Sequence, residues 1–261
     1  MKRISILGCG WFGFAFAKRL IELGYEVKGS TTTPEKLSLL AAEKINPFLI
    51  NFNADIIIGD NEFFEADVLF ICIPPKRNST ELFHYPEKIK SILSAADQIK
   101  QVVLISSTSV YGDGNMVADE FTETHPDTDS GKVVLLAESI LKEKRAQNAT
   151  IIRFAGLIGP NRNPGRFFAG KQNVPNGLAP VNLIHQTDAV GIACQLLAKK
   201  EFGRIYNACS PNHPSRMEFY TAAAKNTDLP APGFIEENKN WKVVESLNVP
   251  RYLDYKFRVE I

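Results

Sequence analysis

The chain has 261 residues, of which 44% are hydrophobic and 23% charged, which suits one large globular domain or a domain with a small added lobe. It carries 30 basic and 29 acidic residues, and a net charge of +1 argues against a nucleic acid partner. No apolar run approaches the length of about 18 residues that a membrane span needs, so we expect no membrane partner.

The cysteines, the histidines and the N-terminal residues bear on redox state, metal binding and localisation. The four cysteines are scattered, and the four histidines show no ligand spacing, so we expect reduced thiols and no structural metal. The glycines that begin at Gly8 interrupt the apolar N-terminal stretch too early for a secretory signal. Cytoplasmic localisation is therefore expected.

Strand and helix patterns alternate along the first 155 residues and return near the end. Buried strands are predicted at 3–7, 25–29, 67–73, 101–106, 149–154 and 204–208, and helices at 11–23, 33–44, 79–96, 132–144, 187–199 and 214–226. This alternation predicts an α/β fold with a doubly wound parallel sheet. After residue 155 the composition becomes rich in Gly, Pro and Asn. We divide the chain into a domain at 1–155 and a part at 156–261 that completes the sheet and forms a small lobe.

The segment GCGWFG, which starts at Gly8, has the G-x-G-x-x-G pattern of a dinucleotide-binding turn. It follows a predicted buried strand and opens a predicted helix, which is the context that the pattern requires. Gly8 permits the tight turn, Gly10 lets the backbone approach a pyrophosphate, and Gly13 lets the helix pack on the strand. The backbone N–H groups of Trp11 and Phe12 are expected to face the phosphates. The alternative is a turn that binds no ligand.

The end of the second predicted strand bears on which dinucleotide is bound. An acidic residue about 20 residues after the glycines would hold the ribose hydroxyls of NAD. Here the chain has Thr31, Thr32 and Thr33 instead, with Lys36 nearby. Hydroxyl groups tolerate a 2′-phosphate, so NADP is favoured over NAD, although no arginine is present to clamp that phosphate.

Three segments carry a resemblance to a known family. SSTSVYG, from Ser106, is similar to the S-S-x-x-V-Y-G segment of extended short-chain dehydrogenase/reductases. RFAGLIGP and VNLIHQTD resemble their R-x-x-G-x-x-G-P and V-N-x-I-H-x-x-D segments. The chain is identified as an atypical member, NAD-dependent epimerase/dehydratase-like, and resembles the bacterial YeeZ-like group over residues 1–226. The resemblance implies a Rossmann fold whose cofactor lies beside Pro74, Pro75 and Ser106, although the prolines are equally explained as the end of a strand.

The resemblance also implies a catalytic set, of which this chain keeps one part. In the family a tyrosine of Y-x-x-x-K exchanges a proton with a substrate oxygen, the lysine lowers the pKa of that tyrosine, and a serine orients the substrate. Ser130 stands at the tyrosine position and Val134 at the lysine position, while Ser107 matches the serine. The usual proton relay is therefore not expected. Ser107, Ser130 and Tyr111 are the catalytic candidates, with a packing role as the alternative for Tyr111.

Three arginines are candidates for binding substrate. Arg162 and Arg166 lie in a loop after a predicted strand, where ligands gather in open sheets, and Arg216 opens a predicted helix. Guanidinium groups suit carboxylates and phosphates, and the alternative is that these are solvated loop charges. Asn182 and His185 are expected to fix a loop by hydrogen bonds.

These observations leave two classes of function open. The first is an NAD(P)-dependent oxidoreductase or epimerase acting on a small polar substrate, as a monomer or a homodimer. The alternative is a non-catalytic dinucleotide-binding sensor or interaction module, which the replacements at Ser130 and Val134 favour. A third hypothesis, a 3-hydroxyacid-type dehydrogenase, requires a long all-helical C-terminal domain, and the loop-rich second half argues against it.

Overall fold

The protein is described by a computed structural model that covers residues 2–53, 56–76 and 80–261. The strands are β1 (Arg3–Leu7), β2 (Glu26–Thr31), β3 (Asn46–Leu49), β4 (Asn51–Asn53), β5 (Ile56–Ile58), β6 (Val68–Ile71), β7 (Gln101–Ser107), β8 (Met116–Ala118), β9 (Ala149–Phe154), β10 (Gly156–Ile158), β11 (Leu183–His185), β12 (Ile205–Ala208) and β13 (Lys242–Val244). The α-helices are α1 (Trp11–Glu22), α2 (Leu37–Ala42), α3 (Tyr85–Ala95), α4 (Asp129–Arg145), α5 (Gln186–Lys199), α6 (Arg216–Lys225) and α7 (Asn248–Leu253).

Seven parallel strands form the central sheet, in the order β12-β9-β7-β6-β1-β2-β3. From β1 the chain runs outward to β2 and β3 on one side, and β6, β7, β9 and β12 follow on the other. Ile4 of β1 pairs with Val27 of β2 and with Val68 of β6, so the order of winding reverses at β1. This confirms the doubly wound α/β sheet, and the reversal creates a crevice at the carboxyl ends of β1 and β6.

Helices cover both faces of the sheet, which explains its continuous apolar strands. All four residues of β6 and all six of β9 are buried. On one face Phe16 of α1 packs edge-on against Phe70 of β6, with ring centroids 4.7 Å apart. On the other face Ile89 and Ile92 of α3 join the apolar cluster that contains Ile71. The core therefore has two halves, one on each side of the sheet.

Most of the predicted elements are present, with shifted ends. The helix predicted at 33–44 is a 3₁₀ turn at Pro34–Lys36 followed by the short α2. The helix predicted at 79–96 begins as an α-helix only at Tyr85, and Ser79 lies outside the described residues. The sequence pattern does not predict β3, because Pro47 interrupts its apolar residues. Proline is tolerated there since β3 is an edge strand.

After residue 155 the chain adds β12 beside β9 and then forms short elements around the carboxyl end of the sheet. The two-stranded pairs β10–β11 and β13–β8 are also parallel. The tail folds back onto α5, because Asp188 accepts hydrogen bonds from the Tyr255 hydroxyl (2.8 Å) and from the backbone N–H groups of Arg258 (2.8 Å) and Val259 (3.1 Å). In the described ranges this part contains strands as well as helices, unlike the domain that a 3-hydroxyacid-type dehydrogenase requires.

In the part of the chain that the structure describes, no helix combines the length and apolar character needed to cross a bilayer. Among the same described residues, no three His, Cys, Asp or Glu side chains are grouped so that they could hold a metal ion. Cys9, Cys72, Cys194 and Cys209 are free thiols.

Candidate functional site

The glycine turn between β1 and α1 has the geometry that its sequence pattern predicts. Gly8 has a φ of +99°, which L side chains rarely adopt. A Cβ at Gly13 would overlap the carbonyl oxygen of Gly8, so only glycine lets α1 approach the strand this closely. A Cβ at Gly10 would meet nothing within 4 Å, which leaves open space in front of the turn.

Contacts from distant parts of the chain hold this turn in place. The buried Ser30 hydroxyl accepts from the backbone N–H of Gly8 (2.9 Å). The Gln186 side-chain amide donates to the Trp11 carbonyl (2.9 Å), and the Trp11 indole donates to the Pro160 carbonyl (2.7 Å). Helix α1 begins without a side-chain cap and without an acidic residue in its first turn. Its first N–H groups are therefore left for another acceptor.

A cavity of about 1100 Å³ lies in front of the turn. Twelve of the seventeen site residues predicted from the sequence line it: Gly10, Trp11, Phe12, Gly13, Pro74, Pro75, Ser106, Ser107, Ser130, Arg162, Arg166 and Arg216. Val134 lines it as well, and its side chain cannot donate a hydrogen bond. The structure therefore brings the glycine turn, the serines and the arginines around one space at the sheet crevice.

Tyr111 is the catalytic candidate that the structure places elsewhere. Its side chain is 0% exposed and does not line the cavity. Arg153 donates to the Tyr111 hydroxyl (2.6 Å), which has two acceptors within reach, the Asp119 carbonyl (2.7 Å) and the Asn207 side chain (3.0 Å). Burial raises the pKa of Tyr111 above its usual value. Tyr111 is therefore corrected to a buried structural residue, because its hydroxyl is turned into this network.

The three threonines at the end of β2 differ in their surroundings. Thr31 is buried and its hydroxyl accepts from the Thr33 backbone N–H (3.1 Å), so both serve the local turn. Thr32 is exposed and lines a second cavity of about 680 Å³, together with Pro74 and Pro75. Thr31 and Thr33, like Gly8, line neither cavity.

The second cavity is mildly basic. Lys76 and Lys88 line it, and both form ion pairs with Glu81 there, at 2.9 and 3.1 Å. The hydrogen bonds from the two lysines lower the pKa of Glu81. Lys36, which the sequence suggested as a neighbour of the 2′-phosphate, is exposed and lines neither cavity.

The serines of the main cavity have different hydrogen-bonding states. Ser106 donates to Glu138 (2.5 Å), and the Ser107 hydroxyl accepts from the Ser109 backbone N–H (3.1 Å). The hydroxyl oxygens of Ser109 and Ser130 are buried and have no partner among the described residues. Both residues line the cavity. A buried hydroxyl without a partner is costly, so each of these two oxygens has hydrogen-bonding capacity that the described chain leaves unused.

The three arginines form no ion pair with any of the residues that the structure describes. Arg162 lies over the Trp11 ring, 4.7 Å from its centroid, and so borders the glycine turn. The Arg216 side chain donates to the Pro175 carbonyl, at 3.3 Å. The charged residues that line the cavity are these arginines with Lys242 and Asp113, four cationic groups against one anionic group. This excess favours an anionic ligand.

Lys242 and Asp113 are cavity residues that sequence reasoning missed. Lys242 lies after the segments that carry the resemblance in the sequence, and no local motif marks it. The signal that was available is Asn182, which was expected to fix a loop. Its side chain donates to the Lys242 carbonyl (2.8 Å) and accepts from the Val244 backbone N–H (2.7 Å). His185, the other expected loop residue, accepts from the Thr187 backbone N–H (3.2 Å).

The seven-stranded parallel sheet and the glycine turn at its crevice define a Rossmann fold. The chain is 33% identical over 266 residues to Protein YeeZ of Escherichia coli (strain K12), with 99% of this chain and 96% of that protein covered. The chain therefore belongs to the YeeZ family.

Solved structures at lower identity share the fold, and a family profile matches the N-terminal part of the chain. A UDP-glucuronic acid 4-epimerase from Bacillus cereus, in complex with NAD, has a TM-score of 0.80 at 17% identity, covering 99% of this chain and 92% of that one. A UDP-N-acetylglucosamine 4-epimerase from Bacillus cereus has a TM-score of 0.79 at 17% identity, covering 99% and 95%. The profile of the family described as NADP oxidoreductase coenzyme F420-dependent matches residues 3–109.

Proposed function

We propose that this protein is a nicotinamide dinucleotide-dependent oxidoreductase or epimerase of the cytoplasm that acts on a small anionic substrate. The observation that carries the proposal is the uncapped start of α1, which faces a cavity lined by Ser107 and by three arginines that have no ion-pair partner among the described residues. The bound dinucleotide would supply hydride exchange at its nicotinamide ring. The residues of this chain would bind the dinucleotide, bind the substrate and stabilise the charge that develops on the reacting substrate oxygen.

The residues at the turn fit a dinucleotide. The free N–H groups at Trp11 and Phe12 would donate to the pyrophosphate, in the open space that Gly10 leaves. Pro74 and Pro75 line both cavities, so they would border the dinucleotide where the two cavities meet. Ser106 lines the main cavity and would lie beside the dinucleotide there. This arrangement supports binding of a nicotinamide dinucleotide.

NADP is the proposed dinucleotide rather than NAD. The end of β2 has no acidic side chain to select the NAD ribose, and Thr32 faces the second cavity. Two lysines and one glutamate line that cavity, and the surplus positive charge favours a 2′-phosphate. Thr31 and Thr33 would contribute by shaping the turn that presents Thr32.

The substrate would occupy the side of the cavity formed by residues 156–261, which we propose as a substrate lobe. Arg162, Arg166 and Arg216 would bind its anionic group, because a guanidinium pairs well with carboxylate or phosphate. Ser107 would orient the oxygen that exchanges a proton. One of the two Bacillus cereus epimerases is named for UDP-glucuronic acid, which is an anionic compound. This name supports an anionic substrate for the present chain.

The second candidate function is a non-catalytic sensor or interaction module that binds the dinucleotide only. The observation that favours it is the pair Ser130 and Val134 on α4, which supplies neither a strong proton donor nor a cation. A general acid contributes about 10²–10⁴-fold to a rate, so its loss leaves slow turnover possible through positioning alone.

Calorimetric titration of the purified protein with NADPH and NADH tests the shared part of both functions. We expect binding of both, with NADPH the tighter, and no heat from either at millimolar concentration contradicts the proposal. Oxidation of NADPH is then followed against a panel of carbonyl compounds, and NAD reduction against UDP-glucuronic acid. Turnover supports the enzyme, whereas dinucleotide binding with no turnover on any compound supports the sensor.

A further inference from the structure

Lys242 reaches the cavity from a part of the chain remote from the family's catalytic helix. It is the first residue of β13, and its side chain is 14% exposed. Its Nζ donates to the Tyr111 carbonyl and to the Asp113 carboxylate, both at 2.7 Å. An ammonium group has three N–H donors, so one remains for a ligand in the cavity that Lys242 lines.

The backbone holds this lysine in a fixed position. Asn182 bonds to β13 at two points, the carbonyl of Lys242 and the N–H of Val244, at 2.8 and 2.7 Å. One residue earlier, Trp241 and Asn115 exchange two hydrogen bonds, at 2.9 and 3.1 Å. Strand β13 also pairs with β8, with Lys242 opposite Met116. The ammonium is therefore held by a framework that needs no bound ligand.

Two unsatisfied hydroxyls lie on neighbouring segments of the same wall. Ser109 is two residues before Tyr111, whose carbonyl Lys242 contacts. A Cβ at Gly131 would overlap the Ser109 carbonyl oxygen, so the start of α4, with Ser130, packs directly on Ser109. The hydroxyl oxygens of Ser109 and Ser130 are buried without a partner in the described chain. Lys242, Ser109 and Ser130 thus line the cavity from adjoining segments of the chain.

The charges decide what this region binds. Asp113 already neutralises Lys242 through the contact at 2.7 Å, whereas the three arginines of the cavity have no carboxylate partner among the described residues. An anionic group is therefore better placed at the arginines. The Lys242 region suits an uncharged carbonyl or hydroxyl oxygen, which takes one charge-assisted hydrogen bond and hydroxyl contacts.

From this geometry we infer that Lys242, with Ser109 and Ser130, completes beside Ser107 the subsite that binds the reacting carbonyl or hydroxyl oxygen of the substrate. Lys242 takes the place of the cation that Val134 no longer supplies on α4. The inference rests on the proposed function and names a residue that the family motif does not predict.

The test compares three variants in the NAD-bound protein, with UDP-glucuronic acid as the probe. Lys242→Met removes the charge at similar length, Lys242→Arg keeps a cation, and Lys239→Met is the matched control. Lys239 lies three residues earlier, is 73% exposed and pairs with Glu237 outside the cavity. Probe affinity and NAD affinity are measured by calorimetry, and folding by thermal melting.

A lost hydrogen bond to a charged group corresponds to about ten- to a hundredfold in affinity. We expect Lys242→Met to weaken probe binding by about that factor, with NAD affinity unchanged. Lys242→Arg retains most of the affinity, and Lys239→Met matches the unsubstituted protein. Equal probe affinity for Lys242→Met and the unsubstituted protein overturns the inference, as does a NAD complex that binds no probe. Absence of binding of both NADP and NAD overturns the proposed function instead.

A second measurement needs no variant. Lysines of the unsubstituted protein are labelled with acetic anhydride, and the modified positions are read by mass spectrometry. We expect UDP-glucuronic acid, added to the NAD complex, to protect Lys242 and to leave Lys239 labelled as before. Protection by NAD alone, with no further effect of the probe, contradicts a contact with the substrate.

Discussion

The carboxylate of Glu138 and the guanidinium of Arg153 form a two-point ion pair that is closed to solvent, with the two side chains 0% and 2% exposed. Nε of Arg153 donates to Oε1 (2.9 Å) and Nη2 donates to Oε2 (2.7 Å). Arg153 also bonds to Tyr111, and Glu138 accepts from Ser106 in the cavity wall. The pair therefore joins β9, α4 and the segment that carries the site serines.

Removal of one partner of this pair is expected to destabilise the fold strongly. Glu138→Ala leaves the Arg153 charge buried without a counterion, and we expect the free energy of unfolding to fall by about 3–5 kcal/mol. Tyr111→Phe removes one hydroxyl from the same network and is expected to cost about 1–3 kcal/mol. Urea denaturation measures both, with the exposed Glu123→Ala as the control. A larger loss for Tyr111→Phe than for Glu138→Ala contradicts the prediction.

The glycine turn gives a prediction that separates binding from folding. Gly10→Ala places a methyl group in open space, so stability is expected to change by about 0.5 kcal/mol or less. The same methyl group narrows the space for a pyrophosphate, and NADPH affinity is expected to fall by about tenfold or more.

Gly13→Ala adds the same methyl group three residues later, where it has no free space. This methyl group would overlap the Gly8 carbonyl oxygen. We expect it to lower the free energy of unfolding by about 1–3 kcal/mol as well as to weaken binding. Thermal melting and calorimetry of both variants make the comparison. Unchanged NADPH affinity in Gly10→Ala speaks against the turn as a pyrophosphate site.

Cofactor preference is expected to depend on Thr32. Thr32→Asp introduces a carboxylate into the second cavity, which repels a 2′-phosphate and can accept from ribose hydroxyls. The ratio of NADPH to NADH affinity should fall by about tenfold or more. Lys36→Ala, at an exposed position outside both cavities, is the control and should leave the ratio unchanged. If the ratio of NADPH to NADH affinity is equal in the unsubstituted protein, Thr32→Asp and Lys36→Ala, the 2′-phosphate does not bind beside Thr32.

The buried thiols predict a loss of stability in alkali. Burial raises the pKa of Cys9, Cys194 and Cys209 to about 12, whereas a thiol in the unfolded chain has a pKa of about 8.5. Between these values the unfolded state releases protons that the folded state keeps. Stability is therefore complete below about pH 8.5 and falls above it, by up to about 1.4 kcal/mol per thiol and pH unit.

Denaturation between pH 7.5 and pH 10.5 checks this dependence, with Cys209→Ala expected to show a shallower decline because one thiol is absent. At pH 8 the folded protein should react with iodoacetamide far more slowly than the denatured protein, in which all four cysteines are accessible. Rapid labelling of Cys209 in the folded protein contradicts the raised pKa.

The parts of the fold that sequence predicts are those set by local patterns. The continuous apolar runs of β6 and β9 reflect burial on both faces, and the glycine turn follows directly from GCGWFG. The arginines after β10 were placed near the ligand crevice because parallel strands gather their carboxyl ends there. Each of these inferences needs only residues close together in the chain.

The features that sequence does not predict depend on contacts between distant residues. Tyr111 belongs to the same short motif as Ser107, but its hydroxyl is turned inward by Arg153, 42 residues away. Lys242 enters the cavity because Asn182, 60 residues earlier, fixes its strand. No pattern of spacing along the chain encodes such pairings.

The late position of β13 in the sequence affects the order in which the parts of the site are completed during translation. The glycine turn and its supporting strands come from the first part of the chain and are available early on the ribosome. The wall that carries Lys242 is added only after translation has passed residue 242. A nascent chain would thus contain every residue of the glycine turn long before Pro160 and Gln186 can hold that turn and before the compartment beside it is closed.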